Sequence, residues 1–377
     1  MHETPFWLDG EREALPARHL DGGADVEVVG GGITGCACAL ALAEGGLRVR
    51  LHEARKIASG ASGRNGGFAL RGIASSYDVA CETIGRERAA ELWRLTEGAL
   101  DRMAALGTDA FRRTGSLRLA ADEEERTMLR AEFELLREDG FAVEWRDELP
   151  PPLAGRLAAA MFHPPDGSLH PARFTVELAR AAAAAGVEFR EHSRVASIDQ
   201  LEAEHVVVAT DGYPSGLLGT LEGLIIPTRG QMIATEPLPE RLFECPHYSR
   251  HGFDYWQQDP EGRILAGGFR DVSMDSEFTA DEETTPGIQG ALESFVAELV
   301  GRPIAITHRW AGIFGLVLDF LPVVGRVPGG ERLWVAGGYS GHGNVLGLLC
   351  GELVAGAILG AEESLLGLFD PGRLLVA

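Results

Sequence analysis

Three glycines near the start of the chain have the spacing of a phosphate-binding turn. Residues 25–35 read DVEVVGGGITG, so an apolar run ends directly in a G-x-G-x-x-G pattern, before the small-residue segment CACALALAEGG. Gly30 permits a tight turn, Gly32 lets the backbone approach a pyrophosphate, and Gly35 lets the next helix pack closely on the strand. We therefore predict a strand, a turn and a helix whose first N–H groups face phosphates.

An acidic residue follows at the distance expected for ribose binding. The next apolar segment, LRVRLHEA, contains Glu53, eighteen residues after Gly35. In dinucleotide-binding folds a carboxylate at this place binds the ribose hydroxyls. Glu27 is unusual, because a strand in the middle of a parallel sheet is normally apolar on both faces. We assign Glu27 to a strand-end or crevice-facing position.

Two further glycine-rich loops follow, and the first of them favours a flavin over a nicotinamide cofactor. Residues 55–72, RKIASGASGRNGGFALRG, stand where a nicotinamide-dependent dehydrogenase would begin its next helix, and they could follow an extended dinucleotide.

Residues 337–344, GGYSGHGN, repeat the strand, turn and helix pattern near the other end of the chain. A helix N-terminus there would stabilise negative charge on a reduced flavin ring. Gly341 and Gly343 would allow the backbone to contact the ring. His342 is the candidate catalytic residue, as a hydrogen-bond donor near the ring. The alternative is that His342 is satisfied by local packing and has no redox role.

The flavin segment and several others resemble one family. EARKIASGASGRNGGF at 53–68 is similar to the flavin-binding segment of the FAD-dependent D-amino-acid oxidase superfamily, in its glycine/sarcosine oxidase and γ-glutamylputrescine oxidase branch. Other segments that resemble the family, in order, are FRRTGSLRLA at 111–120, LHPARFTVELARAAAAAGVEF at 169–189, VVVATDGY at 206–213, PTRGQMIATEP at 227–237 and RWAGIFGLVLDFLPVVG at 309–325.

The resemblance implies an α/β fold with two discontinuous domains. One is a Rossmann-like FAD-binding domain of the glutathione-reductase type, with a doubly wound, mostly parallel sheet, assigned to residues 1–85, 150–215 and 310–377. The other is an inserted α+β substrate domain with a mixed sheet, assigned to residues 86–149 and 216–309. Family members carry a longer β-meander where this chain has only ASIDQLEAEH before the VVVAT strand.

We predict cofactor contacts at the three loops and at the strands that follow them in the family. The predicted FAD-binding residues are Gly30, Gly32, Ile33, Thr34, Gly35, Glu53, Ala54, Arg55, Ala61, Ser62, Arg64, Asn65, Gly66, Gly67, Phe68, Val195, Ala209, Thr210, Gly338, Gly341, His342, Gly343 and Asn344. FAD is expected to be non-covalent, because Gly312 stands where sarcosine oxidases have the cysteine that bonds the flavin.

The positions that bind a substrate carboxylate in relatives are apolar here. D-amino-acid and glycine oxidases have an arginine at the position of Phe314, and sarcosine oxidases have a lysine at the position of Val345. The resemblance therefore favours an amine whose reacting carbon is far from any carboxylate, such as a polyamine conjugate. The predicted pocket residues are Arg71, Arg229, Tyr255, Phe314 and Tyr339. Each has a structural alternative: the role of Arg229, for example, could be to orient a turn and not to bind substrate.

Composition limits the other partners. The formal net charge of −22 argues against nucleic-acid binding and suits a cationic substrate, although most of these charges are expected simply to be solvated. No stretch approaches the ~20 apolar residues of a membrane span, and the acidic N-terminus has no secretory signal, so we expect a cytoplasmic location. The five cysteines have no paired metal-type spacing, so we predict no metal and no disulfides.

The leading hypothesis is an FAD-dependent amine or amino-acid oxidoreductase that passes a hydride equivalent to the flavin. An oxidase that forms an imine and hydrogen peroxide, most similar to γ-glutamylputrescine oxidase, is favoured. A glycine, sarcosine or D-amino-acid oxidase, or a dehydrogenase that reduces a quinone or carrier, is the alternative. A flavin-carrying binding protein without turnover is a lesser alternative, and the sequence does not decide the oligomeric state.

Overall fold

The computed structural model describes residues 4–10, 14–16, 18–106, 108–362 and 364–375. The chain divides into two compact units, each built from three segments. The mixed-sheet unit comprises Met1–Asp9, Arg64–His170 and Arg229–Gly312, and the parallel-sheet unit comprises Gly10–Gly63, Pro171–Thr228 and Ile313–Ala377. These boundaries do not coincide with the predicted domain boundaries, and the assignment of cofactor and substrate roles to separate domains stays a prediction.

The described residues contain both helices and strands throughout. The helices are α1 (Ile33–Glu44), α2 (Tyr77–Ile84), α3 (Arg86–Ala105), α4 (Glu123–Glu138), α5 (Pro171–Ala185), α6 (Pro286–Val300), α7 (Gly343–Ile358) and α8 (Leu366–Phe369). The strands are β1 (Val26–Val29), β2 (Val49–His52), β3 (Phe68–Ala69), β4 (Phe111–Arg112), β5 (Ser116–Ala120), β6 (Glu144–Arg146), β7 (Ala159–His163), β8 (Gly167–Leu169), β9 (Glu188–Arg190), β10 (His205–Val208), β11 (Ile226–Thr235), β12 (His247–Ser249), β13 (Asp254–Gln258), β14 (Ile264–Gly268), β15 (Ile306–Leu316), β16 (Val323–Arg326) and β17 (Leu333–Gly337).

The parallel-sheet unit is organised by a six-stranded sheet with the order β16-β17-β10-β1-β2-β9. Its strands are parallel except β16, which pairs antiparallel with β17. β1, β10 and β17 therefore end at the same edge, with β10 between the other two. The first glycine loop follows β1 and the late glycine loop follows β17, so the strand order alone brings these two loops to one edge of the sheet.

Glu27 has a structural explanation. It is buried inside β1, where its carboxylate accepts hydrogen bonds from the N–H groups of Glu202 and Ala203 at 2.9 and 3.2 Å. His52 Nε2 lies 3.2 Å from the same carboxylate. Burial alone would raise the pKa of Glu27, but the donors of Ala203, His52 and Glu202 hold it below its ordinary value. Glu27 thus holds in place the short connection between β9 and β10, which contains a 3-10 turn at Ile198–Gln200. This is the connection where the resemblance predicted a longer β-meander.

Helices α1 and α7 touch through their backbones. A Cβ atom on Gly347 would lie 2.7 Å from Ile33 Cγ2, and one on Gly351 would lie 2.5 Å from the carbonyl oxygen of Thr34 and 3.0 Å from the nitrogen of Cys38. Advancing along α7 therefore means advancing along α1, so the two helices run parallel and begin at the same end. Only glycine permits so close an approach.

The mixed-sheet unit contains an eight-stranded sheet, β15-β11-β14-β13-β12-β5-β7-β6, and a three-stranded sheet, β3-β8-β4. Its core includes Ile233, Phe243 and Trp256 together with Leu292 and Val296 of α6. A parallel Rossmann-like sheet and a separate mixed sheet in one chain confirm the predicted α/β class.

The α1 and α7 contact predicts opposite outcomes for two glycine substitutions. Gly351→Ala should lower the urea midpoint of unfolding, because its Cβ meets the α1 backbone and overpacking costs roughly 1–3 kcal/mol. Gly290→Ala, on an exposed helical position of α6 with nothing within 4 Å of the new Cβ, should raise stability by about 0.5–1 kcal/mol. Urea titrations followed by circular dichroism measure both, and equal effects would contradict the close packing.

Candidate active site

The first glycine loop has the backbone shape that the sequence predicted. Gly30 has φ +116°, and a Cβ there would lie 2.5 Å from the carbonyl oxygen of Ala209, at the end of β10. A Cβ on Gly35 would lie 1.9 Å from the carbonyl oxygen of Gly30. The turn and the start of α1 therefore leave no room for a side chain at Gly30 or Gly35, and a Cβ atom at either position would push the backbone segments apart.

The N-terminus of α1 offers its N–H groups with little competition from its own side chains. Gly32 is the N-cap and has no side chain, and the first turn contains no acidic residue. Ser62 Oγ accepts a hydrogen bond from the N–H of Ile33 at 2.9 Å. The structure thus brings three predicted cofactor residues, Gly32, Ile33 and Ser62, to a positively polarised helix end.

Glu53 lies directly beside this loop. Its Oε2 accepts a hydrogen bond from Gly31 N–H at 2.8 Å, and its Oε1 accepts one from Arg55 N–H at 2.7 Å. Two backbone donors therefore fix the carboxylate between the turn and the end of β2. The guanidinium of Arg55 stacks over the ring of Tyr213, 5.3 Å from its centroid.

Val195, Ala209 and Thr210, the remaining early candidates, lie near the ends of neighbouring segments of the same unit. Val195 is buried, and Ala209 donates its N–H to the carbonyl of Val29 at 2.8 Å. Thr210 accepts a hydrogen bond from the N–H of Tyr213.

The late loop turns sharply into α7. Gly338, Ser340 and Gly341 have φ values of +74°, +50° and +97°. His342 is the N-cap of α7, its side chain does not cap the helix, and the first turn has no acidic residue. The second helix N-terminus therefore resembles the first in lacking an anionic cap of its own.

Tyr339 connects the two loops. Its hydroxyl lies 2.9 Å from Thr34 Oγ1, in the first turn of α1. The side chain is buried, and burial raises the pKa of the Tyr339 hydroxyl well above its ordinary value. The loops are far apart in sequence, yet a direct hydrogen bond joins them. This contact between the late loop and α1 favours a structural role for the Tyr339 hydroxyl.

Sequence reasoning missed Asp211. Its carboxylate accepts hydrogen bonds from the N–H of Gly315 at 2.9 Å and the N–H of Gly338 at 2.8 Å. It thereby joins the segments that end β10, β15 and β17. Burial raises the pKa of Asp211, although the surrounding N–H groups act in the opposite direction. The signal in the sequence was a charged residue directly after a buried strand, in VVVATDGY.

The predicted residues Arg64–Phe68 and Tyr255 belong to the mixed-sheet unit and lie together there. The ring of Tyr255 meets Phe68 edge-on at 5.9 Å, and a Cβ on Gly66 would lie 3.1 Å from Tyr255 Cε2. Burial raises the pKa of Tyr255 to about 12, so its hydroxyl stays protonated at neutral pH. It can donate a hydrogen bond but cannot act as a base there.

Both predicted pocket arginines already have acidic partners. Arg71 Nη1 donates to Glu97 Oε1 at 2.5 Å, and the Arg71 side chain is fully buried. Arg229 forms a two-pronged pair with Glu277, whose Oε2 and Oε1 lie 2.9 and 2.6 Å from Nε and Nη2. These contacts favour the structural alternative for both arginines.

The positions that the resemblance singled out lie in apolar or crowded surroundings. Val345 is buried in the first turn of α7, and Phe314 is half-buried near the end of β15. A Cβ on Gly312 would lie 2.7 Å from Arg64 Cβ, so a side chain such as cysteine would not fit without movement.

No helix in the described part of the chain is long and apolar enough to cross a membrane. The five cysteines carry free thiols. Within the described ranges, no group of three or more histidine, cysteine and acidic residues is arranged to hold a metal ion.

Two bacterial relatives match most of the chain. A probable oxidoreductase, OrdL, from Haemophilus influenzae is 27% identical, covering 91% of this chain and 84% of that protein. The γ-glutamylputrescine oxidoreductase of Escherichia coli K12 is 28% identical, covering 90% of this chain and 84% of that protein. The crystal structure of glycine oxidase from Geobacillus kaustophilus is 27% identical with a TM-score of 0.75, covering 93% of this chain and 98% of that one.

The position of Asp211 predicts that an amide cannot replace its carboxylate. In Asp211→Asn, one of the two backbone N–H groups would face an amide N–H, and an unsatisfied buried donor costs about 1–3 kcal/mol. We expect a lower unfolding temperature and less FAD per protein chain, measured by thermal denaturation and by absorbance at the flavin band.

Asp25→Asn is the matched control, because it removes the same charge from a partly exposed ion pair with Arg48 in the same unit. Such pairs contribute ~0–1 kcal/mol. Loss of flavin in the Asp25 variant alone, or in neither variant, would argue against the role given to Asp211.

The family model described as "FAD dependent oxidoreductase" matches residues 25–357, from β1 nearly to the end of α7. The matched region includes both glycine loops, Glu53 and Asp211, and the predicted family is confirmed. The chain therefore belongs to the FAD-dependent oxidoreductase family.

Proposed function

We propose that the parallel-sheet unit holds FAD with the pyrophosphate at the first glycine loop and the flavin ring at the late loop. The residues present fit this coenzyme. The N-cap of α1, Gly32, has no side chain, and no acidic residue of the first turn neutralises the N–H groups of the helix end. Glu53 is fixed beside the turn by two backbone donors. A dinucleotide needs one anion site and one ribose acceptor there, and both are available.

The late loop supplies the second part of the proposed cradle. The N-terminus of α7 carries partial positive charge, and its first turn has no acidic residue. His342 is its N-cap, where a ring nitrogen can add a donor. The crowding at Gly312 supports non-covalent binding, because the position of the family's attachment cysteine has no room for a side chain.

The chain's contribution to the reaction is orientation and electrostatics. Bound FAD would supply the redox chemistry, as the acceptor of a hydride equivalent from the carbon that bears the amine. The N-terminus of α7 would stabilise negative charge on the ring. A neutral amine needs no side-chain base, so we assign no residue as general base.

We propose that the substrate is an amine whose reacting carbon is far from any carboxylate. One observation carries this: Arg71 and Arg229, the two predicted pocket arginines, are both paired with glutamates of the protein. Each guanidinium already has a carboxylate partner that offsets its charge, which makes it a weaker anchor for a substrate carboxylate. The apolar residues at positions 314 and 345 remove the two other anchors that the resemblance would supply.

Two relatives point to different substrates. The Escherichia coli relative is named for γ-glutamylputrescine, an amine of this kind. The Geobacillus kaustophilus structure is named for glycine, so an oxidase of glycine, sarcosine or a D-amino acid is the second candidate. The electron acceptor, dioxygen or a quinone or carrier, stays a prediction, as do the cytoplasmic location and the absence of a nucleic-acid partner.

Anaerobic bleaching of the flavin absorbance tests the proposed substrate. We expect γ-glutamyl amines or other polyamine derivatives to bleach the yellow protein at least ten times faster than glycine, sarcosine or D-alanine. Stopped-flow absorbance measures the rates, and free FAD with the same amines is the control. Peroxide release in air, compared with dye reduction, then identifies the acceptor.

Faster bleaching by glycine or D-alanine would overturn the assignment of the amine. Yellow protein that no member of the panel bleaches would favour a flavin-carrying binding protein.

A further inference from the structure

One face of the parallel sheet carries charged side chains across β1, β2 and β9. Glu27 pairs with Arg50 of β2, and Arg50 pairs with Glu188 of β9. His52 follows two residues after Arg50, so its side chain points to the same face. Each of these four side chains is at most 13% exposed. Parallel sheets are normally apolar on both faces, so the charges of this face need an explanation beyond packing.

The connection between β9 and β10 is attached to this charged face at two places. Near its start, Ser193 Oγ lies 3.2 Å from His52 Nδ1. Near its end, the N–H groups of Glu202 and Ala203 donate to Glu27 Oε2 at 2.9 and 3.2 Å. Since His52 Nε2 also lies 3.2 Å from Glu27 Oε1, a single buried pair bonds to both ends of the connection.

Glu27 also determines which nitrogen of His52 carries the proton. Glu27 is ionised at neutral pH, because its pKa is below its ordinary value in spite of its burial. A carboxylate only accepts hydrogen bonds, so His52 Nε2 donates to it. Burial lowers the pKa of His52, and a neutral ring has one N–H, so Nδ1 accepts a hydrogen bond from the Ser193 hydroxyl. Loss of the Glu27 charge would therefore also disturb the bond at Ser193.

Val195 lies between the two attachments and has unpaired peptide groups. It is buried, whereas its neighbours Arg194 and Ala196 are exposed. It belongs to the core cluster that includes Val29 and Val208, the last residues of β1 and β10. Among the described residues, neither its N–H nor its C=O has a hydrogen-bond partner. Buried peptide groups are paired in the great majority of cases, so a donor and an acceptor remain at Val195 for a ligand.

Val195 lies close to Glu53, the predicted ribose acceptor. Ser193 N–H donates to Glu53 O at 2.8 Å, and Glu53 N–H donates to Arg190 O at 2.9 Å, so the start of the connection runs beside Glu53. Two residues span at most ~7 Å, which limits the distance from Ser193 to Val195. β2 and β9 are parallel, and dinucleotides bind outside the carboxyl ends of such strands. A base attached to a ribose at Glu53 is therefore within reach of Val195.

The peptide groups of one residue match one edge of adenine. The Watson–Crick edge of adenine has an acceptor, N1, beside a donor, the N6 amino group. One residue can supply both an N–H and a C=O to the same partner, as residues of antiparallel strands do. Hypoxanthine has a carbonyl oxygen in place of the amino group and a proton on N1, so it reverses both positions. A backbone site of this kind would distinguish the two bases.

We propose that Glu27 and His52 are positioning residues that hold the connection between β9 and β10 so that the N–H and C=O of Val195 bind the adenine of FAD. The proposal rests on the proposed function, because it takes the ADP half of FAD to lie at the first glycine loop and Glu53. A connection with only one 3-10 turn has no sheet of its own to fix it. The charged face supplies that support, and all of these residues belong to the parallel-sheet unit.

Calorimetric titration of the apoprotein with ADP and with inosine diphosphate tests the proposal. The two ligands share the ribose and the pyrophosphate and differ only in the base. Wild-type protein should bind ADP about tenfold more tightly than inosine diphosphate. Ser193→Ala and Glu27→Gln should reduce this preference to about twofold or less, because ADP binds more weakly while inosine diphosphate is nearly unaffected. Ser193→Thr, which keeps the hydroxyl, should retain the preference.

Glu188→Gln is the matched control. Glu188 is a buried glutamate on the same charged face, and its partners in the described part of the chain are Arg50, Arg190, His19 and Leu20. None of them belongs to the connection between β9 and β10. The change removes the same charge as Glu27→Gln and leaves two arginines without their partner. We expect a lower unfolding temperature with an unchanged preference for ADP.

Wild-type protein that binds both diphosphates equally would reject the adenine contact of Val195. Folded variants of Ser193 and Glu27 that keep the wild-type preference, or an equal loss in Glu188→Gln, would overturn the positioning role. If Glu27→Gln fails to fold, the two Ser193 variants still decide. Yellow protein that amines bleach, with an unaltered preference in the variants, rejects only the positioning role, whereas wild-type protein that binds neither ADP nor FAD rejects the proposed function itself.

Discussion

The parallel-sheet unit depends on the backbone contact between α1 and α7. The two helices approach so closely that a single Cβ on Gly351 would lie 2.5 Å from the carbonyl oxygen of Thr34. Because they follow parallel strands and run in the same direction, their N-termini lie side by side. Two partial positive charges would repel each other in isolation, so the arrangement is held by packing and by the hydrogen bond between Thr34 and Tyr339. An anionic coenzyme bound there would reduce that repulsion.

Asp211 complements this contact on the sheet. One carboxylate accepts the N–H groups of Gly315, near the end of β15, and of Gly338, directly after β17, so the late loop has a fixed start as well as a fixed helix. The first loop is fixed in the same way by Glu53, which accepts the N–H groups of Gly31 and Arg55. Each loop therefore combines glycines, which permit the turn, with one acid, which determines its shape.

The local parts of this design could be predicted from the sequence, and the long-range parts could not. The pattern at Gly30, Gly32 and Gly35 indicated its own turn, since the requirement for glycine arises within a few residues. Asp211 looked like an ordinary loop residue, because its partners lie over a hundred residues away. The roles of Arg71 and Arg229 depended on whether a glutamate would meet them, which no local pattern encodes.

The central claim is that one coenzyme is shared between two helix N-termini, with its phosphates at the first loop and its ring at the second. Calorimetric titration of the apoprotein with ADP and with riboflavin tests it most directly in two variants, Gly32→Val and Gly343→Val. The account predicts that Gly32→Val weakens ADP at least tenfold and leaves riboflavin unchanged, while Gly343→Val does the reverse. Folded variants that lose both ligands equally, or that exchange these effects, would contradict it.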